Sequence, residues 1–166
     1  NAMKQILLAG YTGYNHQTCS NCSNAKEATL TLTGTINLTA KSLLEDSTTD
    51  SQYNIGGFSG YAASTAKTDC KNEADVVVDV TWTSAEGDAT LTASETVTAA
   101  NNGAPFIQIG GFIGRSHSTL YTCEQSGKVI LKGTSEGFHG AISVGGVLGS
   151  HPYSTNGDKN YGDIHI

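Results

Sequence analysis

The chain has 166 residues, carries a formal net charge of −6 and contains a single arginine, Arg115. So acidic a chain, with its few basic residues scattered, lacks the clustered Lys and Arg that hold a nucleic-acid backbone or an anionic lipid surface, so neither partner is expected. Charged residues make up only 14% and the polarity lies instead in Thr, Ser, Asn and 20 glycines, which excludes a charge-rich disordered chain and points to many short strands joined by tight turns.

Taken in chain order, Asn1-Ala2-Met3 reads as the remnant of an expression tag and is set aside. Residues 4–166 read as one repeat domain. Its longest apolar stretch, Ile6-Leu7-Leu8-Ala9, is far short of the ~20 residues of a membrane span. That stretch opens a cassette, Ile6-Leu7-Leu8-Ala9-Gly10-Tyr11-Thr12-Gly13, which recurs without gaps three times. The later copies are Tyr53-Asn54-Ile55-Gly56-Gly57-Phe58-Ser59-Gly60, Ile107-Gln108-Ile109-Gly110-Gly111-Phe112-Ile113-Gly114 and Ile142-Ser143-Val144-Gly145-Gly146-Val147-Leu148-Gly149. Each runs apolar, any, aliphatic, two small residues, aromatic or aliphatic, any, Gly.

Downstream of each cassette a second signal stays in phase. Cys22, Cys70 and Cys123 follow the last glycine by nine, ten and nine residues, and Asp158 takes the same place in the fourth copy. Six and eight residues further on come Ala28 and Leu30, Val76 and Val78, Val129 and Leu131, and Ile164 and Ile166. Spacing by two is the mark of a strand with one buried face. Alternating runs such as Leu30-Thr31-Leu32-Thr33 extend that strand in the longer copies, whereas Lys41 to Asp46 could form one helical turn.

Repeats this small cannot bury their own apolar face and must stack. The expected fold is therefore all-β, a β-solenoid (β-helix) of about four coils with short strands and Gly-rich turns, each cassette making one coil of about three strands. Equivalent Ile, Phe and Cys side chains should form ladders inside. Gly57, Gly111 and Gly146 should stand where a Cβ would clash or where φ is positive.

The cassettes Gly56-Gly57-Phe58-Ser59-Gly60, Gly110-Gly111-Phe112-Ile113-Gly114 and Gly145-Gly146-Val147-Leu148-Gly149, each with its downstream Cys or polar substitute, resemble the GLUG repeat of bacterial surface and secreted proteins. The resemblance covers about half of the chain. The first copy departs from it with Ala9 in place of Gly, and the first two copies carry long inserted segments. The resemblance implies an exported, cell-surface or extracellular location, a place in a longer chain, and no catalytic residues in the repeat itself.

Candidate chemistry is thin. Cys19-Ser20-Asn21-Cys22 is a single C-x-x-C without the second pair that structural zinc requires. Cys22, Cys70 and Cys123 share one repeat position, which reads as a buried thiol ladder, with a disulfide or a metal as the other uses of that row. His16 and His117 follow their cassettes by three residues and His151 by two, forming a row that Ala63 interrupts. His117 and His151 could then be neighbours on the edge of the stack. Tyr14 and Tyr61 directly follow the last cassette glycine and should sit at a turn. Alternation places Trp82 with the inward residues of its strand; turned outward, it would offer a ring face to a sugar. The acids Asp69, Glu73 and Asp75 read as solvated loop residues, and no nucleophile elbow or phosphate loop is present. No cofactor is expected.

The functional expectation is a non-catalytic surface module, an adhesin or stalk segment, meeting a host glycan or an extracellular protein through whatever differs between copies, especially residues 39–52 and 83–104. A solenoid enzyme acting on polysaccharide is the alternative. An ice-binding surface is a further one, but the row Thr29, Thr31, Thr33 and Thr35 is followed on the next coil by Val77 and Asp79.

Overall fold

The computed structural model describes residues 6–38, 53–63, 65–84, 107–136, 142–150 and 155–166. Every regular element among them is a β-strand, and they stack as four coils. The first coil runs β1 (Ile6–Ala9), β2 (Thr12–Asn15), β3 (Cys19–Ser20), β4 (Ser23–Asn24) and β5 (Thr29–Leu38). The second runs β6 (Tyr53–Gly56), β7 (Ser59–Ala63), β8 (Lys67–Thr68), β9 (Lys71–Asn72) and β10 (Asp75–Ser84). The third runs β11 (Ile107–Gly110), β12 (Ile113–His117), β13 (Leu120–Tyr121), β14 (Glu124–Gln125) and β15 (Val129–Lys132), with β16 (Ser135–Glu136) continuing it. The fourth runs β17 (Ile142–Gly145), β18 (Leu148–Ser150), β19 (Thr155–Asn156), β20 (Lys159–Asn160) and β21 (Ile164–His165).

Each strand pairs in parallel with its counterpart in the adjacent coil or coils, giving five sheets rather than the three expected. The two missed in the sequence are built from two-residue strands such as β3 and β4, too short to show any periodicity. The coil-per-cassette reading holds. Ile6, Tyr53, Ile107 and Ile142 are in register, as are Leu8, Ile55, Ile109 and Val144. They pack against Val76, Val78, Val80 and Val129 from the opposite wall to form the main core.

One alignment slips. Val76 pairs with Leu30 and Val78 with Leu32, so Ala28 is not the inward residue of coil one. Asn24 still pairs with Asn72, and the Ala25–Ala28 turn therefore holds two residues more than its counterpart in coil two. The other three inward pairs hold their register up to Ile164. The hydroxyl row of β5 stops after one coil, because Thr31 and Thr33 lie beside Val77 and Asp79.

A second cluster fills the opposite corner with Phe58, Phe112, Cys70, Cys123, Ala62, Ile113 and Leu120. The aromatic ladder is as expected: Tyr11 stacks on Phe58 at 4.7 Å and Phe58 on Phe112 at 4.8 Å between ring centroids. Those distances match the ~4.8 Å between neighbouring strands, so the sheet sets the ring spacing. Phe58 and Phe112 are fully buried, but Tyr11, in the edge coil of the described sheets, is 51% exposed.

The cassette's second glycine is explained by packing. Its φ is not in the left-handed region; instead a Cβ on Gly57 would lie 2.2 Å from the Asn72 amide, and one on Gly111 2.6 Å from the Gln125 amide carbon. The left-handed corner lies elsewhere, one residue before the Cys position, at Asn21, Asp69, Thr122 and Gly157 with φ of 55°, 52°, 53° and 74°. No helix among the described residues is long and apolar enough to cross a membrane.

Candidate functional site

Two constellations stand out, one on the outside of the stack and one inside its corner. The outer one grows from the strand that follows each cassette. In β2, β7 and β12, Tyr14, Tyr61 and Arg115 are in register, and Ser150 of β18 ends the row. The tyrosines thus lie in strands rather than at a turn. Tyr14 and Tyr61 are 5.3 Å apart between centroids, Tyr61 meets His117 edge-on at 5.5 Å, and His16 stacks on Tyr14 at 6.1 Å. The Arg115 guanidinium sits 5.9 Å from the Tyr61 ring centroid, within cation–π range. Arg115 Nε donates to His117 Nε2 at 3.1 Å, which leaves Nδ1 as the nitrogen that carries the proton of a neutral ring.

Exposure grades along this row. Tyr14 is 52% exposed, Tyr61 half-buried and Arg115 only 8% exposed. Burial lowers the Arg115 pKa, with the neighbouring Tyr61 acting in the opposite sense. Arg115 is the member that sequence reasoning missed, although it occupies the same place after the last cassette glycine as Tyr14 and Tyr61. Ala63 does interrupt the histidine row, being in register with His117. His151 lies outside the described residues, as do residues 39–52 with the turn expected at Lys41 to Asp46, residues 85–104, and the side chain of Trp82, whose backbone pairs with Ile36 and Ser135.

The inner constellation is the thiol row. Cys70 and Cys123 are fully buried, Cys19 and Cys22 half-buried, and none is bridged. Each thiol of the row donates to the carbonyl two residues back: Cys22 to Ser20, Cys70 to Thr68 and Cys123 to Tyr121. The Cys123 thiol also points at the Lys67 carbonyl of the second coil at 3.4 Å. Hydrogen bonding from Cys123 outweighs desolvation and draws the Cys70 pKa down to about 6, while Cys123 is pushed up by the same contact and by burial. Beside them Lys67 is fully buried, its ammonium donating to the Gln17 carbonyl at 2.8 Å and to the Thr65 carbonyl and hydroxyl at 2.9 Å. Desolvation lowers the Lys67 pKa, and the nearby thiols oppose that shift. Among the described residues, no three His, Cys, Asp or Glu side chains converge to hold a metal ion, since a row spaced by coils is a line and not a cage.

Beneath the thiols runs an amide ladder that the sequence reading overlooked. Asn24 Nδ2 donates to Asn72 Oδ1 at 3.0 Å, and Asn72 Nδ2 to Gln125 Oε1 at 2.9 Å. Asn24 and Asn72 also donate to the carbonyls of Gly57 and Gly111. The signal was present, because Asn24, Asn72, Gln125 and Asn160 each stand two residues after the Cys position.

A groove of about 340 Å³ is lined by Lys26, Glu73, Asp75, Ser126, Gly127 and Lys128. Asp75 begins β10 and accepts the Lys128 backbone N–H at 2.7 Å, so it anchors a turn instead of being a solvated loop acid. Asp69 accepts from the Thr122 hydroxyl of the next coil. No protein-family model matches the chain, and no curated protein or solved structure is significantly similar to it.

Proposed function

We propose that the chain is a non-catalytic module of a bacterial cell surface, an adhesin or stalk segment of a longer exported protein. Its outer row, with Tyr14 exposed, Tyr61 and His117 partly so and the buried Arg115 packed against the Tyr61 ring, is the contact face for a host glycan or an extracellular protein. The observation that carries this reading is the register of Tyr14, Tyr61 and Arg115 on adjacent strands. Two aromatic rings 5.3 Å apart, one of them held by a guanidinium, supply apolar ring faces of the kind on which sugar rings stack. The surface location rests on the resemblance of the cassettes to GLUG repeats. The test is binding to an array of glycans and matrix proteins, with Tyr14→Ala as the control, since Tyr14 is half exposed and its loss should leave the fold intact. Retention that Tyr14→Ala lowers at least tenfold supports the reading. Retention indifferent to Tyr14, or none on any probe, leaves the module as a spacer.

One observation favours a second reading, a polysaccharide-active enzyme fragment: the groove that holds both Glu73 and Asp75 between Lys26 and Lys128. Release of reducing ends or unsaturated products from a polysaccharide panel, abolished by Glu73→Gln, would replace the first reading with this one.

A further inference from the structure

We propose that Cys22 and Cys70 are a thiol pair which a small-molecule disulfide oxidises to a covalent link between the first and second coils. Two observations converge on this pair. Cys22 and Cys70 occupy the same place on adjacent parallel coils, with the Cys22 carbonyl accepting the Lys71 N–H at 2.8 Å and the Asn24–Asn72 pair in register two residues on. And of the three thiols in the row only Cys22 is partly open to solvent, whereas Cys70 and Cys123 are fully buried.

Position in the stack also selects this pair over its neighbours. In-register residues on adjacent strands stand ~4.8 Å apart, and a disulfide draws its Cβ atoms to ~3.8 Å, so one coil must give by about 1 Å. Among the described residues, strands β3 and β4 lie at the edge of their sheets and are hydrogen-bonded on one side only, to β8 and β9. Cys123 is held between the second and fourth coils, with its N–H donating to Asp158 and its thiol also directed at the Lys67 carbonyl. Cys19 belongs to another row, in register with Lys67, and its sulfur accepts from Asn15 at 3.1 Å.

The chemistry balances as two exchanges. The Cys22 thiolate attacks one sulfur of the small disulfide, forming a mixed disulfide and releasing the first small thiolate. The Cys70 thiolate then attacks the Cys22 sulfur, forms the Cys22–Cys70 bond and expels the second small thiolate. Two protein thiols are oxidised, one external disulfide is reduced, and the two protons pass to the released thiolates. The lowered Cys70 pKa keeps the resolving group ionised near neutrality, in a row where burial alone would keep it protonated.

The experiment equilibrates the protein with mixtures of reduced and oxidised glutathione, blocks the remaining thiols by alkylation, and maps the linked peptides by mass spectrometry. The expected result is loss of two alkylatable thiols with a Cys22–Cys70 linked peptide. In Cys70→Ala the second exchange is impossible, and one glutathione should remain on Cys22. Because Cys70 is buried and its replacement could impair folding, the wild-type map decides by itself. A link joining any other pair, or no thiol loss at any ratio, overturns the proposal.

Discussion

The inner and outer coils of this stack carry the same repeat and do different things with it. Phe58 and Phe112, at one cassette position in the second and third coils, are fully buried, while Tyr11 at that position in the first is 51% exposed. Cys70 and Cys123 are sealed where Cys22 is half open, and Val129 is 1% exposed where its in-register partner Ile164 is 43% exposed. The residue at a repeat position therefore sets geometry, and its neighbours above and below set its environment. In a solenoid, stability is a sum of such neighbour terms. An inner residue contributes to two interfaces and an end residue to one.

The sharpest test of this contrast is a pair of truncations. Phe112→Ala should cost about 3–5 kcal/mol, because it opens a cavity between coils that cannot close over it. Tyr11→Ala should cost only about 1 kcal/mol, the loss of one stacked pair at a wet surface. Chemical denaturation of both variants measures the two values. Equal losses would mean that the end coil is covered as tightly as the inner ones, and the comparison would fail.

The contrast also shows where the sequence was legible. The four cassettes, the Cys position and the inward pairs Val76–Val78 and Val129–Leu131 could be read because each is a spacing, and the stack turns equal spacing into equal register. The Ala28–Leu30 pair was misread because two added residues in the first turn shift the strand while the downstream alternation survives. The two extra sheets were invisible, since a two-residue strand has no period. Of the outer row, Tyr14 and Tyr61 were found as aromatics after a glycine. Arg115 escaped because its side chain shares a position with them but not a chemistry, and only register brings a guanidinium over a tyrosine ring.

A smaller effect is expected at the left-handed corner. Asn21 in the first coil and Gly157 in the fourth suit a positive φ, whereas Thr122, in the third, is β-branched and carries it at 53°. Thr122→Asn places the first coil's residue in an inner coil. It should raise stability by roughly 0.5–1 kcal/mol, net of the exposed hydroxyl contact to Asp69. A thermal melt that moves upward by a few degrees supports the assignment; a melt that falls shows that the Thr122–Asp69 contact between inner coils outweighs the backbone strain.

The smallest effect is the ion pair between the same two inner coils. Lys71 and Glu124 are in register, with their charged groups 2.8 Å apart. The Lys71 ammonium holds the Glu124 carboxyl below the ordinary carboxylate range, and Glu124 in turn raises the Lys71 pKa. A carboxyl with a depressed folded pKa contributes stability that is present above its unfolded pKa and is lost as pH falls through the folded one. Wild type should therefore melt slightly above Glu124→Gln near about pH 7, and the difference should fade as acid takes the pH below the ordinary carboxylate range and through the depressed folded pKa. Both groups face solvent, so raising the salt should shrink the neutral-pH difference as well. A difference that survives acid would assign the effect of the substitution to the packing of the Glu124 stem against the second coil, and burial between coils, rather than charge, would then be what separates inner positions from outer ones.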